Sequence, residues 1–186
     1  MRKDEKMNNT TKTIALFAVG IALFVVLSLC LQVPVFENYY LCLGYVVMVV
    51  YCYSFGTLAG TVVGFFGVIL YCVVISGLRG MPGWALGNIV IGVALGLSCM
   101  LSAGMKNRAL RYVLLVAVIV ASVALGILGV KSLTECLLYA QPFLLRVGKN
   151  TSAFIADVVV LVVSLPVCEI VDRQAKKYFP QLSEKR

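Results

Sequence analysis

The chain alternates long apolar runs with short polar interruptions, and the lengths of the runs set the expected elements. A helix that spans a bilayer needs roughly 20 mostly apolar residues. The first run covers 13–33 and stops at Pro34. It is too long for the core of a secretory leader and is followed by no small-residue cleavage site, so it reads as a retained helix. Pro34 to Tyr40 then brings a charge, an amide and two tyrosines, which suits a membrane–water boundary. The next apolar stretch, from Leu41 to about Ser76, is too long for one helix. Its turn signal is Ser54-Phe55-Gly56-Thr57, which predicts helices over 41–56 and 58–77. A glycine-rich loop from Gly77 to Trp84 follows, then a helix over 85–104 and a basic loop. A fifth helix is expected over 111–130, a longer polar connection over 131–150, and a sixth helix over 151–171.

Composition agrees with this pattern. Hydrophobic residues make up 61% of the 186, charged residues 13%, and the mean hydropathy is +1.00. So small a globule cannot bury that much apolar surface, and part of it must face lipid. The chain is therefore read as an all-α integral membrane protein, a six-helix bundle forming one domain over 1–186. Residues 1–12 and 172–186 are the expected tails and 13–171 the bundle.

Charge adds orientation. The net charge of +8 comes from cations that cluster. Arg2, Lys3, Lys6 and Lys12 precede the first run, Lys106, Arg108 and Arg111 share the interior basic loop, and Arg173, Lys176, Lys177, Lys185 and Arg186 follow the last run. Six crossings put these three clusters on one side, which the positive-inside rule makes the cytoplasm. Arg79, Lys131, Arg146 and Lys149 fall on the other side. The basic balance thus reports topology and contact with anionic lipid rather than nucleic acid.

Small residues recur at four-residue spacing: Gly56/Gly60/Gly64, Gly83/Gly87, Gly92/Gly96 and Ala18/Ala22. In lipid such spacing lets helix backbones approach. The glycine pairs read as packing within the bundle, whereas Ala18/Ala22 on the first helix also suits a face offered to another protein. The seven cysteines are scattered through apolar runs without a CxxC, and the chain has no histidine, so neither a metal site nor a cofactor is expected. Cys30 and Cys42 flank one loop and either stay free or pair.

Catalytic sets are missing as well. No Ser-His-Asp set, HExxH, GxSxG or phosphate-binding loop is present. Asp157 and Glu169 lie twelve residues apart on one helix, about 18 Å along its axis, too far to act on one bond. An enzyme is disfavoured. The remaining chemistry gathers on the outer side: Glu37, Asn38, Tyr39 and Tyr40 from the first loop, Arg79, Trp84 and Asn88 from the second, and Tyr139, Gln141, Arg146, Lys149 and Asn150 from the third. Asp157, two turns into the last helix, is costly to bury in lipid and should face the bundle interior with Arg79 or Lys149 as its partner. Trp84, the single tryptophan, serves either as an interfacial anchor or as a stacking surface in a small-molecule pocket.

Laid out in this order, the chain resembles the substrate-binding S component of energy-coupling factor (ECF) vitamin transporters. Ala18-Val-Gly-Ile-Ala22 is similar to the alanine motif by which those proteins dock on a shared transmembrane subunit. Phe55-Gly56-Thr57-Leu58-Ala59-Gly60 resembles their aromatic-Gly-Pro-x-x-Gly turn, with Thr57 in place of the frequent proline. Gly83-Trp84-Ala85-Leu86-Gly87-Asn88 is similar to the start of their fourth helix, where substrate contacts lie. The resemblance implies a prokaryotic plasma membrane, capture of a vitamin-like molecule outside, and delivery by toppling within a complex of one energy-coupling membrane subunit and two ATPase subunits. The expected binding residues are Glu37, Asn38, Tyr40, Arg79, Trp84, Asn88, Tyr139, Gln141, Arg146, Lys149 and Asp157, with Ala18 and Ala22 for docking. Aromatic side chains favour a planar ligand such as riboflavin, a pyridoxine or a pterin, and Arg79 tolerates an anion such as pantothenate. Two alternatives stand beside this reading. A self-sufficient permease would show two similar halves, and 1–95 does not resemble 96–186. A ligand-free membrane scaffold would make the outer loops lipid-facing decoration.

Overall fold

The computed structural model describes residues 2–30, 34–36, 39–76 and 81–178; of 2–9, 34–36, 39–40, Ser76, Met81 and Lys176 it describes the backbone alone. Among the described residues the chain is helical apart from one pair of short strands and the turns between helices. Helix α1 (Arg2–Cys30) leads to the antiparallel strands β1 (Pro34–Phe36) and β2 (Tyr39–Tyr40), where helices alone were expected. Helices α2 (Gly44–Phe55), α3 (Thr57–Ser76) and α4 (Met81–Ser102) follow. A single rod then comprises α5 (Arg108–Val123), a π-helical segment (Ala124–Lys131) and α6 (Ser132–Tyr139), and α7 (Phe143–Tyr178) closes the chain.

Among the described residues, five stretches are long and apolar enough to cross a membrane: Thr10–Cys30, Thr57–Ile75, Pro82–Ser102, Arg108–Tyr139 and Phe143–Ala175. Helix α2 is apolar but only 12 residues long, and nearly every side chain on it is buried. It is an internal strut rather than a lipid-facing helix. Of the long stretches, α4 is the most enclosed and α1 the least, so α4 lies in the middle of the bundle and α1 at its edge. The core is built on Phe24, Tyr45, Met48, Ile91, Leu95, Ile119, Ile127 and Leu161, all fully buried.

The break between α2 and α3 comes where the turn signal puts it. Gly56 alone separates them, with φ of +93°, a backbone that a side chain would strain. The small residues act as the four-residue spacing predicts. Gly60 and Gly64 bring α3 onto Cys52 and Met48 of α2, while Gly92 and Gly96 bring α4 onto Thr61 and Thr57 of α3. A reciprocal approach joins α4 to the π-helical segment. A Cβ on Gly87 would stand 2.6 Å from the Gly126 carbonyl oxygen, and one on Gly126 would stand 2.8 Å from that of Gly87. The backbones touch there, which only glycine on both sides permits.

Two expected loops are helical instead. Met81–Trp84 belongs to the first turn of α4, because Pro82 near a helix start loses no intrahelical hydrogen bond. The polar connection expected over 131–150 shrinks to 140–142, turned by Ala140 in a left-handed conformation with φ of 50°. Its charges had suggested a loop. They sit instead at helical spacing on α6 and α7, where they meet one another. The last helix accordingly runs well beyond the expected 151–171. Lys131 ends the π-helical segment, whose widened ladder is closed by the Ser132 hydroxyl donating to the Ile127 carbonyl at 3.2 Å.

Candidate functional site

The polar residues of the bundle collect where the N-terminal ends of α2, α4 and α7 meet the π-helical segment and α6. Tyr45 is the centre. It occupies the first turn of α2, is fully buried, and its hydroxyl links three helices. Trp84 Nε1 donates to Tyr45 Oη at 2.8 Å. The same hydroxyl faces two acceptors, Asn88 Oδ1 at 2.8 Å and the Asp157 carboxyl group. Asn88 is fixed in that orientation because its Nδ2 donates to the Gly64 carbonyl at 3.0 Å. Trp84 and Asn88, one turn apart on α4, thus present an indole and an amide to one phenol.

Aromatic and charged groups surround this hub. Tyr71 of α3 stands edge-on to Trp84, with ring centroids 5.9 Å apart. Lys131 Nζ lies 5.9 Å from the Trp84 ring centroid and within electrostatic reach of both Asp157 and Glu135. Asp157 is 5% exposed, so its charge depends on the groups around it, namely the Tyr45 hydroxyl and Lys131. A second layer lies one turn further along α6. Asn150 Nδ2 donates to Ser132 Oγ at 3.0 Å and to Glu135 Oε2 at 3.1 Å, and Arg146 Nη1 approaches the same carboxylate at 3.6 Å. The Arg146 guanidinium also lies over the Tyr139 ring, 5.3 Å from its centroid. Charges therefore alternate along the site: Arg146, Glu135, Lys131, Asp157.

Of the expected binding residues, Trp84, Asn88 and Asp157 converge on the hub, and Arg146 and Tyr139 join the second layer. Gln141 is half-buried in the tight turn, with a buried Oε1 that has no hydrogen-bond partner among the described residues. Lys149 is exposed, and the lysine found beside Asp157 is Lys131. That corrects the expected pairing with Lys149. Glu37, Asn38 and Arg79, the other expected partner, lie outside the described residues, as does the Tyr40 side chain. Ala18 and Ala22 are exposed on α1. Sequence reasoning missed Tyr45, Tyr71, Lys131, Ser132 and Glu135. A usable signal was Lys131 and Glu135 at i, i+4 spacing; nothing in the apolar run 41–76 marks Tyr45.

The family model for the ECF-type riboflavin transporter S component matches residues 8–172. The chain belongs to that family. Membership makes it a membrane-embedded, substrate-binding subunit of a transporter, which is not an enzyme family. A similar relative is a UPF0397 protein of Vibrio atlanticus, 30% identical over 145 residues that cover 74% of this chain and 77% of the relative. UPF0397 proteins of Lactococcus lactis subsp. cremoris and Streptococcus thermophilus are 34% and 29% identical over 92 and 90 residues. Each of those two matches covers 48% of this chain and 49% of the relative.

Proposed function

We propose that this S component captures a ring-bearing, vitamin-like molecule from outside the cell at the Trp84–Tyr45–Asn88–Asp157 hub. Partners then drive delivery inward: one energy-coupling membrane subunit and two ATPase subunits, with the S component toppling inside the complex. The observation that carries this reading is the convergence of the single tryptophan, a buried carboxylate and a buried amide on one phenol. It lies at the end of the bundle away from the basic residues of 106–111 and the α7 C-terminus. Apolar walls, an aromatic face and a few fixed polar groups are what a small-molecule site requires.

The topology follows from the same reading. Residues 39–43 together with α2 complete a sixth crossing, both termini are cytoplasmic, and 1–186 acts as one membrane domain. Glu37, Asn38, Tyr40, Arg79, Gln141 and Lys149 contribute to binding, and Ala18 and Ala22 contact the coupling subunit. Riboflavin, named in the family description, heads the panel of ligands to test. Titration of riboflavin, pyridoxine, a pterin, pantothenate and the cation thiamine into purified protein, followed by Trp84 emission, reads occupancy of the hub directly. Saturable quenching is expected. A flat response to every ligand, with the Trp84→Phe variant binding none of them by calorimetry, overturns the receptor reading. Impermeant thiol labelling of Trp84→Cys should succeed from outside the cell, and labelling only from the cytosol reverses the topology.

A further inference from the structure

The hub already holds a cation. Lys131 places its ammonium beside the face of Trp84 and within reach of buried Asp157, with Tyr71 set edge-on behind the indole. An aromatic face next to a carboxylate is the chemistry that recognises organic cations. We propose that the ligand is itself an organic cation, and that its charged centre takes the place of the Lys131 ammonium between Trp84 and Asp157. This rests on the receptor reading and narrows it to a substrate class.

Charge conservation is the physical argument. Asp157 is buried and must stay compensated, because an uncompensated carboxylate in the membrane interior is costly. Exchanging one cation for another keeps it compensated throughout. Lys131 also has somewhere to go: Glu135, four residues on, lies within its electrostatic reach. Glu135 is held in place by Asn150 and by Arg146. A swing of Lys131 toward Glu135 opens the indole face without stranding either charge. Trp84 and Lys131 are half-buried, so this part of the hub is accessible, unlike Tyr45 and Asn88 beneath it. An anion entering here meets the Asp157 charge and finds Lys131 and Arg146 already committed to carboxylates. A neutral ring leaves the lysine in possession of the indole face.

The test uses the full chain in detergent, with thiamine and N-methylpyridinium as cationic probes and riboflavin and pantothenate as neutral and anionic ones. The cations are expected to quench Trp84. Lys131→Met removes the resident competitor at similar length, and it should tighten cation binding roughly tenfold, since the binding-competent arrangement no longer needs the lysine to leave. Asp157→Asn should weaken the same binding at least about tenfold. Thermal unfolding supplies a reading that does not depend on the variant's own stability: a saturating cation should raise the unfolding midpoint more in Lys131→Met than in the unaltered chain. Binding of riboflavin or pantothenate with no response to either cation, or weaker cation binding by Lys131→Met, overturns the substrate class and leaves the receptor reading standing. Silence from all four probes overturns both.

Discussion

At the residue scale, Tyr45 holds the site together and was the least visible beforehand. Its ring packs like any apolar side chain, edge-on to Phe24 at 6.2 Å, while its hydroxyl satisfies Trp84, Asn88 and Asp157. In an unbroken apolar run a tyrosine reads as one more hydrophobe, and the hydroxyl's partners come from two other helices. Trp84, Asn88 and Asp157 were legible for the opposite reason, because each is a polar or singular residue in apolar surroundings. Tyr45→Phe keeps the packing and removes the hydroxyl, leaving the half-buried Trp84 N–H and the buried Asn88 carbonyl oxygen without that partner. The expected cost is about 1–3 kcal/mol, seen as an unfolding midpoint several degrees lower and a shifted Trp84 emission. An unchanged midpoint would mean that water replaces the hydroxyl.

At the element scale, hydropathy located the helices well but misjudged where two of them end. A window that sums hydropathy treats Lys131, Glu135, Arg146 and Lys149 as a loop. Their positions on facing helical turns let Lys131, Glu135 and Arg146 interact while Lys149 stays exposed, so the helices continue to 139 and resume at 143. The small-residue spacing was the more dependable signal, since it follows from the geometry of close backbones. Gly87→Val should force α4 away from the π-helical segment, costing about 1–3 kcal/mol and displacing Trp84 from Lys131, so ligand binding falls with stability. Gly56→Ala is expected to behave differently. The residue lies at the far end of α2 from Tyr45, so the variant should lose about 1 kcal/mol through backbone strain alone. Ligand titration of that variant should give unchanged affinity at a lowered midpoint.

At the scale of the whole molecule, lipid contact and the clustering of basic residues were readable from composition and order. The strands at 34–36 and 39–40 and the brevity of α2 were not, because tertiary enclosure lets a short apolar helix pack where hydropathy predicts a longer one. The outward face of α1 carries Ala18 and Ala22 between exposed Ile14, Val19, Leu23 and Val26. Replacing both alanines by Trp should abolish uptake in cells that carry the complete transporter, while purified protein binds its ligand as before. Loss of binding in the same variant would assign these alanines to internal packing.

The enclosure of α2 decides how the charges of the hub are screened. Nearly every side chain on that helix is buried, its first-turn phenol fully so, and Asp157 is 5% exposed. Dissolved counterions have little access to such a site, and the Debye cloud that screens surface charges weakens buried pairs much less. Affinity measured between dilute and concentrated sodium chloride should therefore stay nearly level, as it would not for a receptor that gathered its guest at the water line.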